Sequence, residues 1–217
     1  MLVFQWNMHE ETAEAPRNLR RPPRSPRPPS SARPPAVGKL GARVELEARE
    51  GTLTAAPIDP GVTIGHVHLK VADLPRALAF YCDVLGFELQ ARFGEQAAFV
   101  SAGGYHHHIG LNTWESRGGS PPPPGTTGLY HVAIRYPTRA LLADALRRVL
   151  RAGVGLDGAS DHGVSEALYL RDPDRNGVEL YWDRPREVWP RPGDGSGGVA
   201  MYTAALDLND LLREPEP

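Results

Sequence analysis

Three residues of this chain have the side-chain types and local settings that metal chemistry requires. His66 in segment 64–71 and His131 in segment 129–135 each lie beside alternating aliphatic residues of a predicted strand. Glu179 lies between apolar neighbours in another predicted strand, where an unpaired carboxylate would be very costly. Two imidazoles with one carboxylate are the facial ligand set of non-haem Fe(II) sites. Taken alone, each histidine is more simply explained as a hydrogen-bonded strand residue, and Glu179 as the ion-pair partner of an arginine. The metal-site hypothesis therefore depends on all three residues together.

The first of these strands is followed by a predicted amphipathic helix. Asp73 and Pro75 are typical of a helix start, and Gly86 of a helix end. The apolar residues of its inward face recur at helical spacing: Leu74, Leu78, Tyr81 and Leu85. Three short strands are predicted next, at residues 87–93, 97–102 and 106–114. This part of the chain therefore has the order βαβββ.

The same order of elements recurs about 65 residues later. The His131 strand is followed by a predicted helix at 138–152 and by strands near Leu156, at 167–171 and at 178–182. Residues 115–127 contain four consecutive prolines and are predicted to be a linker. We therefore expect an α+β fold in which two βαβββ modules, residues 58–114 and 128–183, are joined by that linker.

The two ends of the chain have a different composition. Residues 16–35 hold eight prolines and six arginines, and we expect residues 1–57 to be a disordered Pro/Arg-rich arm. This arm could meet an acidic partner, act as a flexible leader, or precede a true start near Val44. The C-terminal tail, residues 191–217, has enough apolar residues after Met201 to pack on the domain, either over the site or along a sheet edge.

Composition excludes several classes of protein. The 24 Lys+Arg residues nearly balance 26 Asp+Glu residues, which does not favour a nucleic-acid partner. No apolar run approaches the roughly 20 residues of a membrane span. The single cysteine, Cys82, excludes an internal disulfide and fits a reducing compartment. The first residues lack the pattern of a signal peptide, so a soluble cytoplasmic protein is expected.

Residues 58–190 resemble the vicinal-oxygen-chelate superfamily, which includes glyoxalases, fosfomycin-resistance enzymes and extradiol dioxygenases. The motifs that carry the resemblance are HVHLKV at 66–71, DL at 73–74, AFY at 79–81, VLGF at 84–87 and DPDRNGVEL at 172–180. The last is similar to the family's DPDGNxxEL turn, with Arg175 where glycine is usual. The resemblance implies a glyoxalase/dioxygenase-type half-barrel in which His66, His131 and Glu179 bind the metal.

Within this superfamily, the strand at 105–114 resembles the extradiol (catechol 2,3-type) dioxygenases. Glyoxalase-type isomerases use a fourth, acidic ligand from this strand, but here no acidic residue occurs before Glu115. Instead there are three histidines, similar to the HHxxAL/F segment of extradiol enzymes, and the match makes His107 the acid–base residue beside the metal. Strand alternation would then put His106 and His108 on the opposite face.

Two further matches extend the implied site. Tyr169 stands ten residues before Glu179, and His162 a little upstream of Tyr169, as in extradiol enzymes. Tyr169 would share a face with Glu179 only if the loop between their strands had an odd number of residues. His68 faces the same side as His66 and is assigned to the substrate pocket, where it touches substrate or hydrogen-bonds within the barrel.

The resemblance implies ring cleavage of a catechol-like small molecule, with Fe(II) as cofactor, Mn(II) as its alternative and O₂ as co-substrate. In that mechanism Tyr169 and His162 would hydrogen-bond the substrate oxygens. Exposed sheet edges favour a homodimer, and no nucleic-acid or membrane partner is expected. Two alternatives remain: a metal isomerase or thiol transferase using Mn²⁺, Ni²⁺ or Zn²⁺, and a non-catalytic binding protein of the bleomycin-resistance kind.

Overall fold

The computed structural model describes residues 56–193 and 197–217. Nearly all of the predicted N-terminal arm therefore lies outside the described residues. The remainder forms the two predicted βαβββ modules, each with its own sheet. Within the part of the chain that is described, no helix has both the length and the apolar character to cross a membrane.

Module 1 consists of one parallel and two antiparallel strand pairs under a short helix. Its elements are β1 (Val67–Lys70), α1 (Leu74–Leu78) with a π-helical continuation (Ala79–Val84), β2 (Glu88–Phe93), β3 (Ala97–Ser101) and β4 (Ile109–Asn112). The Asp73 side chain caps α1 by accepting from the Arg76 amide at 2.8 Å. The sheet order is β1-β4-β3-β2, with β1 parallel to β4.

Module 2 repeats this topology and gains one strand from the C-terminal tail. Its elements are β5 (Val132–Arg135), α2 (Arg139–Arg151), β6 (Leu156–Asp161), β7 (Ser165–Arg171) and β8 (Gly177–Asp183). The tail contributes β9 (Ala204–Ala205) and α3 (Leu208–Leu211), so the sheet order is β5-β8-β7-β6-β9. Strand β5 is parallel to β8, as β1 is to β4.

One hydrophobic core is shared by both modules, because the apolar faces of the helices and of both sheets turn inward. Tyr81, fully buried in module 1, donates a hydrogen bond to Asp172 of module 2 at 3.1 Å. Asp172 also accepts from the backbone amides of Asp174 and Asn176, which holds the β7–β8 turn. Arg175 in this turn has φ 65°, the left-handed conformation that a glycine would adopt more easily.

The strands that carry the histidines begin later than predicted. Strand β1 starts at Val67, β5 at Val132 and β4 at Ile109. His66, His131 and the triplet 106–108 therefore lie just before their strands, where pairing with a neighbour no longer fixes the alternation of side chains. The face of each histidine is decided instead by the contacts described below.

Candidate metal centre

The parallel pairing of β1 and β4 brings His66 beside the histidine triplet. The Val67 amide donates to the His108 carbonyl at 3.0 Å, so the ends of the two strands lie side by side. The rings of His66 and His107 are 4.4 Å apart, centroid to centroid. The His106 and His107 Nδ1 atoms are 2.7 Å apart, so these two rings meet rather than alternate. The prediction that His106 and His107 lie on opposite faces assumed that the triplet is part of the strand, but β4 starts only at Ile109.

Three imidazoles of module 1 form a group that could hold a metal ion. One ring nitrogen from each of His66, His68 and His107 lies within 4.8 Å of the other two, and His68 Nε2 is 3.3 Å from His107 Nε2. The His68 ring rests on Gly110, where an added Cβ would be 2.6 Å from His68 Cε1. Imidazole groups suit Zn, Cu, Fe and Ni. The group is open to solvent, since His66 and His68 are exposed.

Burial and neighbouring imidazoles lower the pKa of two of these rings, His68 and His107. Partial burial and the neighbouring His66 lower the pKa of His68. Burial is also the first cause that lowers the pKa of His107, followed by the imidazoles of His66, His106, His68 and His108. Because a metal binds the unprotonated nitrogen, a lowered pKa leaves these side chains ready to coordinate at neutral pH.

In module 2 a histidine and a carboxylate meet directly. The parallel register of β5 and β8 pairs Ala133 with Glu179 and places His131 Nε2 2.8 Å from Glu179 Oε2. The Glu179 side chain is only 13% exposed, and the histidine supplies the partner that its burial requires. Close approach of the strands depends on Gly177, where a Cβ would lie 2.0 Å from the Tyr130 carbonyl oxygen.

Tyr169 and His162 extend this pair into a hydrogen-bonded series. Tyr169 is the direct antiparallel partner of Glu179, and its hydroxyl lies 3.3 Å from Glu179 Oε1 and 2.8 Å from His162 Nε2. The register that the sequence left open thus puts Tyr169 and Glu179 on one side. Burial and the Glu179 charge raise the pKa of Tyr169 to about 12, so the hydroxyl keeps its proton at neutral pH.

The C-terminal tail completes the surroundings of His162. His162 Nδ1 is 3.1 Å from the Tyr202 carbonyl oxygen and 3.3 Å from the Thr203 hydroxyl. Sequence reasoning did not identify these two tail residues. The apolar content after Met201 indicated that the tail packs on the domain, but no local pattern specifies a contact between residues 40 apart.

The predicted ligands thus lie in two groups. Among the described residues, the set of three metal-ligating side chains with mutual spacing within 4.8 Å is His66, His68 and His107, so His66 does not form such a set with His131 and Glu179. His131 and Glu179 fit a metal because an imidazole nitrogen and a largely buried carboxylate oxygen converge. Within the described part of the chain, His131 Nδ1 is buried and has no hydrogen-bond partner.

Glu115 follows the last residue of β4 by three positions and lies outside both groups. Its side chain is 70% exposed and forms an ion pair of 2.7 Å with Lys70. The hydrogen bond from Lys70 lowers the pKa of the Glu115 carboxyl. The first acidic residue after β4 is therefore part of a surface ion pair.

A cavity of about 640 Å³ lies where the two modules meet. Its lining includes His66 and Phe87 from module 1 and residues 132–137 and Arg148 from module 2. Glu179 and Tyr169 do not line it. The cavity therefore touches one predicted ligand but lies apart from the series in module 2, and the side-chain chemistry is a better guide to the site than the size of the cavity.

Comparison with known proteins agrees with the motifs. The chain is 42% identical over 152 residues to a catechol-2,3-dioxygenase of Bacillus subtilis, covering 70% of this chain and 51% of that protein. It is 34% identical to biphenyl-2,3-diol 1,2-dioxygenase 3 of Rhodococcus globerulus, covering 55% and 63%. The chain thus spans about half to two thirds of the length of these relatives.

A probable lactoylglutathione lyase of Synechocystis is 28% identical, covering 53% of this chain and 91% of that protein. Among solved structures, a glyoxalase/dioxygenase from Nostoc punctiforme matches with a TM-score of 0.50 and 19% identity, over 60% of this chain and 99% of that one. This structural likeness supports the fold alone.

The family profile gives the firmest assignment. It matches residues 63–180, more than half of the chain, and spans both modules from just before His66 to just after Glu179. The observed pair of βαβββ modules agrees with that match. The chain belongs to the Glyoxalase/Bleomycin resistance protein/Dioxygenase superfamily.

Proposed function

We propose that the protein is a metal-dependent extradiol dioxygenase that cleaves the ring of a catechol-like small molecule. In this reaction the ring bond beside the two hydroxyls breaks, and both atoms of O₂ enter the product. The observation that carries the proposal is the series His131–Glu179–Tyr169–His162, which joins a metal-ligating pair to two proton-carrying side chains. The identity with the Bacillus subtilis and Rhodococcus globerulus dioxygenases supports the same reaction class.

His66, His131 and Glu179 are the proposed ligands of Fe(II), with Mn(II) as the alternative. The chemistry expected of the metal ion is redox coupling between the catechol and O₂. The two imidazoles are neutral donors, and Glu179 contributes the one negative charge of the set. Because a single chain leaves His66 in the other group, we infer that the set is completed in a homodimer, with His66 of one copy meeting His131 and Glu179 of the other.

The chain's own residues have distinct proposed roles around the metal. His107, with its lowered pKa and its contacts to other imidazoles, is suited to accept and return a proton as acid–base residue. Tyr169 keeps its proton and, together with His162, is the proposed hydrogen-bonding partner of the substrate oxygens. His68, whose Nε2 lies 3.3 Å from His107 Nε2, is the proposed substrate-pocket residue.

The function is tested by reconstituting the metal-free chain with Fe(II) under anaerobic conditions and then measuring O₂ uptake with a panel of catechols. Consumption of O₂ together with a yellow ring-cleavage product is the expected result. Reconstituted protein that consumes no O₂ with any catechol would refute the proposal.

The shared site is tested with mixed dimers. His66→Gln and Glu179→Gln proteins should each be inactive, but a refolded mixture should regain part of the activity, because one of the two sites in a mixed dimer keeps all its ligands. The same mixture without any recovered activity would place the complete set within one chain. Light scattering on the wild-type chain gives the oligomeric state independently.

An isomerase is the second candidate, favoured by the identity with the lactoylglutathione lyase. That chemistry would require a fourth acidic ligand, and Glu115 is the acidic residue at the end of the corresponding strand. Turnover of a glutathione hemithioacetal that is lost on Glu115→Gln would favour the isomerase. A chain that takes up no metal at all would favour a binding protein of the resistance kind.

A further inference from the structure

The C-terminal tail crosses module 2 next to His162. We define residues 199–207 as the C-terminal strap. The strap is hydrogen-bonded along its length: the Ala200 amide donates to the Pro190 carbonyl at 2.8 Å, the Tyr202 amide donates to the His162 carbonyl at 3.4 Å, and β9 pairs with β6. Its position is therefore defined by backbone contacts on the edge of the sheet that carries the candidate site.

We propose that the C-terminal strap is a positioning element that fixes which nitrogen of His162 carries the proton. The Tyr202 carbonyl oxygen lies 3.1 Å from His162 Nδ1, and a carbonyl oxygen can only accept a hydrogen bond. In the neutral ring, the proton must then be on Nδ1, and Nε2 is left as an acceptor. The Thr203 hydroxyl, 3.3 Å from Nδ1, is a second partner for the same nitrogen.

The tautomer of His162 determines where the single proton of Tyr169 points. Tyr169 has two possible acceptors, His162 Nε2 at 2.8 Å and Glu179 Oε1 at 3.3 Å. With an unprotonated Nε2 at the shorter distance, the hydroxyl donates to His162. Glu179 is then not engaged by that proton and keeps its full charge for the metal. The strap therefore acts on Glu179 through two intervening side chains, and this consequence rests on the proposed function.

The strap is anchored away from the site. After the strap, α3 buries Leu211 completely, and Arg139 of α2 bonds Asp210 at 2.7 Å and Glu214 at 2.8 Å. The guanidinium also contacts Glu166 of β7 at 2.7 Å, which ties the tail to the strand that carries Tyr169. Such supporting groups usually set the orientation of ligating residues and their basicity.

Gly163 offers a way to displace the strap without altering a site side chain. A Cβ at Gly163 would lie 2.5 Å from the Tyr202 ring, and the residue has φ 74°. Gly153 is a matched control, because its φ of 68° imposes similar backbone strain while no atom lies within 4 Å of its Cβ position. The double variant Gly163→Ala with Tyr202→Ala removes the clashing ring but retains the carbonyl of residue 202.

The direct test is the tautomer of His162, read from long-range ¹⁵N–¹H correlation spectra of the full-length chain with Zn²⁺ as a diamagnetic probe. The His162 signals are identified by their loss in His162→Gln. We expect Nδ1–H in the wild type and in Gly153→Ala, loss of that pure tautomer in Gly163→Ala, and its recovery in the double variant. In the catechol assay, Gly163→Ala should lower kcat about 10-fold, with KM changed less.

An Nε2–H tautomer in the wild type would overturn the proposal, and this measurement needs no variant to fold. An equal change in Gly153→Ala, or no recovery in the double variant, would assign the effect to backbone strain and also overturn it. Because the spectra are recorded without substrate, they stand whether or not any catechol is cleaved. Absence of O₂ uptake would refute the proposed function but not the tautomer assignment.

Discussion

The two modules share one topology but present different chemistry on their polar faces. Module 1 gathers the three imidazoles of His66, His68 and His107, of which the first two are exposed to solvent. Module 2 joins one imidazole to the buried carboxylate of Glu179 and to a Tyr–His pair. In module 2 the tail also adds a strand to the sheet edge. The repeated βαβββ unit is therefore a scaffold, and among the described residues the two modules differ in the carboxylate of Glu179 and the tail strand, both of which belong to module 2.

The largest effect is expected from removing that negative charge. Glu179→Gln should abolish tight metal binding and turnover, because a proposed ligand is removed. Metal affinity should fall by more than about 100-fold, the upper end of the loss that is typical when a residue supporting a ligand is removed. Metal content after dialysis and O₂ uptake measure the result. Glu115→Gln is the matched control, since Glu115 is an exposed ion-pair partner of Lys70. If the Glu179→Gln protein retained its metal, the metal site would have to be assigned to module 1 instead.

The proposed acid–base residue, His107, belongs to module 1. His107→Ala should retain its metal but lower kcat by about 10²- to 10⁴-fold, because a positioned proton acceptor is lost while the proposed ligands remain. His108→Gln is the control, since His108 stacks on Tyr105 and accepts from the Ala102 amide instead. Cleavage of catechols at the wild-type rate by His107→Ala would show that the assigned role is wrong.

The ion pairs that attach the C-terminal tail to module 2 are expected to stabilise the fold. Arg139→Met should destabilise the fold by about 3 kcal/mol, because Glu166 is almost fully buried and loses one of its two arginine partners. Arg151→Met is the control, with a change of at most about 0.5 kcal/mol, because its side chain is exposed and 4.0 Å from Asp144. Urea denaturation measures both, and equal stabilities of the two variants would contradict the importance of the Arg139 ion pairs.

The smallest effect separates the two groups of ligands. If the metal is held by His66, His131 and Glu179, then His68→Gln should change metal affinity by less than about 10-fold. A larger change is expected only when a group that orients a ligand is lost. Competition titration with a chromophoric chelator gives the affinity. A loss well beyond that factor would mean that the three imidazoles of module 1 hold the metal themselves.

Much of the fold could be predicted because its signals are local. The Asp73 cap, the apolar spacing of the helices and the repeated order of elements each depend on neighbours within one turn or one strand pair. The starts of the strands at Val67 and Ile109 could not be predicted, because pairing with a neighbouring strand decides the first paired residue and no local pattern marks it. The predicted separation of His106 from His107 failed for that reason.

The sequence alone identified the superfamily, the two modules and a short list of residues with the right chemistry, because motifs and periodicity are properties of the chain itself. The tertiary structure decided how those residues group. The β7–β8 register set Tyr169 opposite Glu179, and the parallel pairing of β1 with β4 put His66 next to His107. The tail reached His162 through contacts between residues 40 apart. Such contacts follow from packing and pairing in three dimensions, which no local pattern in the sequence encodes.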